Sequence, residues 1–142
     1  MRIKLPKDLY NEILEAAKDV FPEEACGLIG GTEENGIRVI KKVYVLENID
    51  HSNEHFTMAP KDQLAAVKDM RASGLKPLGN FHSHPESPSR PSEEDKRLAY
   101  DKNASYMILS LMDSENPVLN SFHIEGDEVK KENLEIEHSY KI

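Results

Sequence analysis

The chain has 142 residues and a net charge of −8, with 31% charged and 38% hydrophobic residues, the composition of one soluble globular domain with a single core. The acidic balance argues against a nucleic-acid partner, whose binders carry a basic face, and no apolar run approaches the roughly 20 residues that cross a bilayer. Met1 to Pro6 passes into charged sequence without the apolar stretch of a secretory signal, and the lone Cys26 excludes an internal disulfide or a multi-cysteine zinc site, so a cytoplasmic protein without a membrane partner is expected.

Residues 7–21 read as an amphipathic helix. Leu9, Ile13, Leu14, Ala17 and Phe21 share one stripe, Lys7, Asp8, Glu12, Glu15 and Asp19 take the other faces, and Pro22 ends it. The apolar run 26–31, closed by Gly30-Gly31, and the β-branched run 37–46 flank Asn35-Gly36, which predicts a hairpin. The polar stretch 47–54 is turn-like and leads into a short strand at 56–58. Pro60 opens a second helix that runs through Leu64, Ala65, Val67, Lys68 and Met70 and stops at Gly74. A strand over 77–84, a proline-rich loop over 85–91, a third helix over 92–102 and an apolar strand over 106–112 follow. Asn116-Pro117 turns into a strand at 118–124, and Gly126-Asp127 into a final strand where Leu134 and Ile136 alternate with glutamates. The sum is an α/β chain with a mixed sheet and about three helices, one domain over 1–142, without repeat or linker.

His82 and His84 are two apart on a predicted strand, so both side chains leave the same face. Alone, such a pair is as often a surface or hydrogen-bonded pair. Asp95, at the start of the third helix, adds a third ligand, and three protein ligands leave a tetrahedral zinc with the open position of a catalytic site. Ser92-Glu93-Glu94-Asp95 also has the form of a helix capping box, and taken by itself that pattern favours the cap. Ser92 can start the helix and still present its hydroxyl. A hydrolytic water needs a general base, for which Glu23 and Glu24, just before the run 25–29, are the candidates. His51-Ser52-Asn53-Glu54-His55 matches the His-x-x-Glu-His pattern of inverted zincins, which requires a helix; the turn-rich sequence around it is a poor helix former. His123 and His138 have no partners in sequence and are expected at the surface.

Taken together, Glu23-Glu24-Ala25-Cys26-Gly27-Leu28-Ile29-Gly30, Gly79-Asn80-Phe81-His82-Ser83-His84-Pro85 and Arg90-Pro91-Ser92-Glu93-Glu94-Asp95 resemble the JAMM (MPN+, JAB1/MPN/Mov34) zinc metalloprotease family in its small prokaryotic, archaeal-type form. The shared pattern is a glutamate upstream, then His-x-His, seven residues beginning with Pro, Ser, two residues, Asp. The resemblance implies a cytidine-deaminase-like α/β/α sandwich and one zinc ion per chain, held by His82, His84 and Asp95. It implies Glu24, three before Gly27, as general acid/base, with Glu23 in that place if the alignment slips by one. Ser92 would hydrogen-bond the developing oxyanion. Cys26 has no catalytic role in the pattern and packs as a small apolar side chain.

The activity implied is that of an isopeptidase cleaving after the C-terminal Gly-Gly of a ubiquitin-like modifier joined to lysine, the tail adding a strand at a sheet edge. Related small enzymes instead remove an amino acid such as cysteine from the C-terminus of a sulfur-carrier protein. Metal-free relatives that act only as scaffolds lack the ligands present in this sequence. Monomer and homodimer both remain open.

Overall fold

A computed structural model describes residues 1–138. Its elements are β1 (Arg2–Pro6), α1 (Lys7–Val20), β2 (Cys26–Glu34), β3 (Ile37–Leu46), α2 (Pro60–Ala72), β4 (Lys76–His84), α3 (Glu93–Arg97), β5 (Ser105–Ser110), β6 (Val118–Glu125), β7 (Glu128–Lys131) and β8 (Asn133–Glu137). The strands form one mixed sheet in the order β7-β6-β5-β4-β2-β3-β1-β8. The pairs β1–β3, β1–β8 and β4–β5 are parallel, and the others antiparallel.

Alternation along the strands divides the sheet into two faces. One carries Ile3, Leu5, Ile29, Phe81, Met107 and Leu109, over which α1 lays Leu9, Ile13, Ala16 and Ala17. Burying Ile13 or Phe81 is worth about 1.5–3 kcal/mol each, which keeps α1 on the sheet. Next to Ile29, Gly30 faces the opposite way, where a Cβ would press on the Met70 side chain of α2. The two long helices therefore cover opposite faces, in the α/β/α arrangement expected. A second cluster, Ala104, Tyr106, Ile108, Phe122 and Ile124, lies under the chain that follows α3. The β2–β3 hairpin turns at Asn35 (φ 54°) and Gly36 (φ 76°), the two positive φ angles that a tight hairpin turn requires.

Several expectations are corrected. Residues 2–6 form a strand, because Ile3 and Leu5 alternate with Arg2 and Lys4 and fill the core. Residues 56–58 form no strand: Thr57 bonds to the Asn48 side chain and to Ile49 instead of to the sheet. The third helix stops at Arg97 rather than 102. The Tyr106 hydroxyl bonds both backbone groups of Asp101, and Arg38 takes the carbonyl of Asn103, so the chain there is pulled out of helical register. The final strand is two, split at the buried Glu132, which bonds Ser121. Phe21 lies past the end of α1 and is 51% exposed. On β4, pairing with β5 runs through His84 and pairing with β2 through His82, and the sheet's edges are β7 and β8.

Candidate metal centre and active site

β2 and β4 run antiparallel with Cys26 opposite His82, which brings the segment before β2 alongside the end of β4. Gly27 makes this close pairing possible: a Cβ there would collide with the Tyr44 carbonyl and the Phe81 ring. His82 and His84 leave the same face, as the period of a strand requires. Their Nε2 atoms are 3.1 Å apart, and Asp95 Oδ2 lies 3.2 Å from His82 Nε2 and 3.1 Å from His84 Nε2. These three are the one group of His, Cys, Asp or Glu placed to share a metal among the described residues.

Donor atoms bound at 2.0–2.2 Å to one tetrahedral zinc sit roughly 3.3 Å apart, so the trio fits such an ion. The supporting contacts fit as well. His84 Nδ1 donates to the Pro88 carbonyl at 2.9 Å, which fixes the ring with its Nε2 edge toward Asp95. The rings of Phe56 and His82 stack with centroids 4.7 Å apart. Against the upward push of burial, hydrogen bonds from His82 and His84 hold the Asp95 carboxyl well below the usual carboxylate range. Against the downward push of burial, Asp95 and the Pro88 carbonyl raise the His84 pKa.

The helix cap and the candidate ligand position fall on the same residue. Ser92 Oγ accepts from the Asp95 amide at 3.0 Å, and Asp95 Oδ2 accepts from the Ser92 amide at 2.9 Å, a complete capping box. The oxygen that caps α3 is also the one that faces both histidines. The cap thus aims the carboxylate, and the Ser92 hydroxyl donates to nothing among the described residues.

The two candidate bases stand in contrasting places. Glu23 is exposed and bonds His51 at 2.9 Å. Glu24 is 4% exposed, and its Oε1 is buried without a hydrogen-bond partner among the described residues. Burial pushes its pKa up to about 8; His84 opposes the rise, and Asp95, Glu94 and Glu54 add to it. An uncommitted carboxyl titrating near neutrality can both accept and return a proton. Cys26 is fully buried, and its thiol is pushed up to about 12 by burial, with Glu24 and Asp50 adding, so it packs rather than reacts.

His51 to His55 form no helix; His51 pairs with Glu23 and His55 with Asp50, outside the cluster. His138 is exposed and His123 half-buried, and neither joins it. A cavity of about 540 Å³, lined in part by Arg38, Lys76 and Asn80, lies at the other end of β4 and does not include the cluster.

Three residues of the site went unremarked in the sequence. Ser83, 1% exposed, accepts the Ala25 amide on its Oγ at 2.7 Å and donates its own amide to the Ala25 carbonyl at 3.0 Å, tying the base's neighbour to the histidine strand. The alternation that turns His82 and His84 one way turns Ser83 into the core, where a hydroxyl needs a partner; that signal was available. Asn48 sits in the polar, turn-like stretch 47–54 and Phe56 in what reads as a short strand, and neither carries a local signal of its place in the site.

Residues 6–125 match the family model described as prokaryotic homologs of the JAB domain. The CysO-cysteine peptidase of Mycobacterium tuberculosis is 27% identical over 133 residues, 94% of this chain and 90% of that one. The desampylase of Haloferax volcanii is 25% identical over 114 residues, 77% of this chain and 81% of that one. A protein of Desulfitobacterium hafniense solved in solution superposes with a TM-score of 0.90 at 49% identity, covering 96% of this chain and 94% of that one.

Proposed function

Because the chain belongs to the family of prokaryotic JAB-domain homologs, we propose that it is a zinc-dependent peptidase of the JAMM type that cleaves after the C-terminal Gly-Gly of a ubiquitin-like modifier joined to lysine. The observation that carries this reading is the convergence of His82 Nε2, His84 Nε2 and Asp95 Oδ2 within 3.2 Å of one another, with a buried, unpartnered carboxyl oxygen of Glu24 in electrostatic reach of His84 and Asp95. His82, His84 and Asp95 would hold one zinc ion per chain, which when bound polarises a carbonyl and lowers the pKa of a water toward neutrality.

Around that ion the chain's own groups divide the work. Glu24 takes the proton of the attacking water and hands it to the leaving amine, a role that suits a carboxyl raised by burial into the neutral range. Ser92 keeps its oxygen on the Asp95 amide and directs its hydroxyl proton to the carbonyl oxygen as negative charge builds there. Pro88 fixes the ring of His84, and the Ser92 amide fixes Asp95, so neither ligand has to be ordered when substrate arrives.

The desampylase among the relatives supports a protein conjugate as substrate. The CysO-cysteine peptidase, matched over more of the chain, favours a second reading: removal of an amino acid such as cysteine from the C-terminus of a sulfur-carrier protein. In either case the partner is a small protein ending in Gly-Gly and the setting is the cytoplasm; no helix of the described residues is long and apolar enough to cross a membrane. Offering the zinc-loaded protein a lysine-linked conjugate and a carrier–cysteine adduct side by side decides between the two. Faster cleavage of the conjugate is expected; turnover of the adduct alone selects the second reading, and cleavage of neither removes both.

A further inference from the structure

We propose that Asn48 is the positioning residue of this site, the side chain that fixes where Glu24 stands relative to the histidine strand; the inference rests on the metallopeptidase reading. Asn48 lies two residues past the end of β3 and is 8% exposed. Its Nδ2 donates to the Glu24 carbonyl at 3.1 Å and to the His55 carbonyl at 3.1 Å. Its Oδ1 accepts from the amides of Asp50 and Thr57, each at 3.1 Å. Both amide protons and both lone pairs are thus used. Aspartate, the nearest isostere, has no proton to give.

The link to chemistry lies in the backbone of Glu24. Its N–H donates to the Ser52 carbonyl at 2.7 Å and its carbonyl accepts from Asn48, so the segment 48–57, not the sheet, holds both polar groups. The tie to β4 begins one residue later, at Ala25 and Ser83. Glu24 therefore hangs between a loop and a strand; Asp50 Oδ2 braces that loop through Thr57 Oγ1 and His55, and Asn48 is the side chain that also reaches Glu24. That loop contains His51 at φ 47°, a left-handed conformation that a non-glycine residue keeps only when its surroundings enforce it. It also delivers Phe56 onto the ring of His82. One carboxamide couples the position of the base to that of the aromatic wall beside the histidines.

The test compares Asn48→Asp and Asn48→Ala with the wild type by kcat, KM, zinc content and amide hydrogen exchange at Glu24, Asp50 and Thr57. Asn48→Asp retains an oxygen for the Asp50 and Thr57 amides and loses the donor to Glu24. In that variant the Asp50 and Thr57 amides are expected to stay protected, while Glu24 exchanges about 10-fold faster or more. Its kcat is expected to fall about 100-fold, the scale of a misplacement of about 1 Å, with KM and zinc content unchanged. Asn48→Ala should release the Asp50 and Thr57 amides outright, speed exchange at Glu24 through the loosened Ser52 contact, and lose at least as much kcat. A merely structural role would lower the melting temperature and leave the kcat of the folded fraction alone. A kcat in Asn48→Asp within about twofold of wild type overturns the proposal, as does a rise in KM that accounts for the whole loss. Should Asn48→Ala fail to fold, Asn48→Asp decides by itself. Should the wild type cleave neither substrate, the metallopeptidase reading has failed, and unchanged Glu24 exchange in Asn48→Asp then overturns the tether separately.

Discussion

At one end of the β2–β4 pair, the Arg38 guanidinium is buried to 6% exposure and every nitrogen has an acceptor: Glu33 at 2.6 Å, Ser105 Oγ at 2.7 Å, the Leu78 carbonyl at 3.3 Å and the Asn103 carbonyl. At the other end, Glu24 is buried as deeply with an oxygen that bonds nothing among the described residues, and His82 Nδ1 is likewise without a partner. Both are buried ionisable groups packed at opposite ends of that strand pair, Arg38 from β3 and Glu24 from the segment just before β2. The Arg38 end satisfies its group and ties the β2–β3 hairpin to β4 and to the chain at Asn103 and Ser105; the Glu24 end leaves its group short. Buried polar groups in native proteins are almost always paired, so an unpaired carboxyl beside His82, His84 and Asp95 is the pattern expected of a group kept for chemistry rather than for stability.

Glu24→Gln probes this contrast most strongly. Cleavage is expected to fall by about 10²–10⁴-fold, the usual loss when a general acid/base is removed. The same variant should make the metal-free protein more stable. The folded-state pKa of about 8 stands above the ordinary glutamate value of 4.5, so ionising Glu24 opposes folding. The penalty is absent below about pH 4.5, grows as pH rises and is complete above about pH 8. Urea unfolding in chelator should give the variant an advantage on the order of 1–3 kcal/mol at about pH 9 and none at about pH 4. A variant less stable at high pH would break the comparison.

Arg38→Ala is expected to do the reverse. Removing a buried, fully bonded guanidinium should destabilise the fold by about 3–5 kcal/mol in urea titration, while the folded fraction keeps its kcat. A kcat that falls with stability would mean that the two ends are coupled.

A smaller effect tests the sign of the pH response. A hydrogen bond from Arg38 holds the Glu33 carboxyl below its ordinary range, against burial. Its contribution is therefore present above about pH 4.5 and lost as pH falls, opposite to Glu24. Because the side chain is 29% exposed, Glu33→Gln is expected to cost only about 0.5–1 kcal/mol near neutral pH, with the difference gone at about pH 3. The smallest effect is a null: Cys26, facing His82 across the β2–β4 ladder, should resist thiol reagents at about pH 8 until the protein is denatured. Labelling of the native protein would show that the Glu24 end opens readily.

What could be read from the sequence, and what could not, follows from the range of the forces involved. The hairpin at Asn35-Gly36, the amphipathic face of α1 and the shared face of His82 and His84 are local matters of dihedral preference and periodicity, and all three stand in the structure. Ile3 and Leu5 alternated just as plainly, but five residues are a short run beside a strongly charged helix. The early end of α3 was not legible, because it is imposed by Tyr106 and Arg38 from other strands. Arg38 looked like one polar residue in a β-branched run; partners 40 and 67 residues away bury it. Asn48 read as turn sequence, and only the folded chain places Glu24, His55 and Thr57 around it.

The most direct measurement is a zinc titration of the metal-free protein, followed by cleavage of a lysine-linked modifier conjugate. No cleavage in chelator, and recovery that saturates at one zinc per chain in the wild type but not in Asp95→Ala, is the expected result. Full activity in chelator, or recovery in Asp95→Ala equal to the wild type, would contradict a hydrolytic centre built on His82, His84 and Asp95.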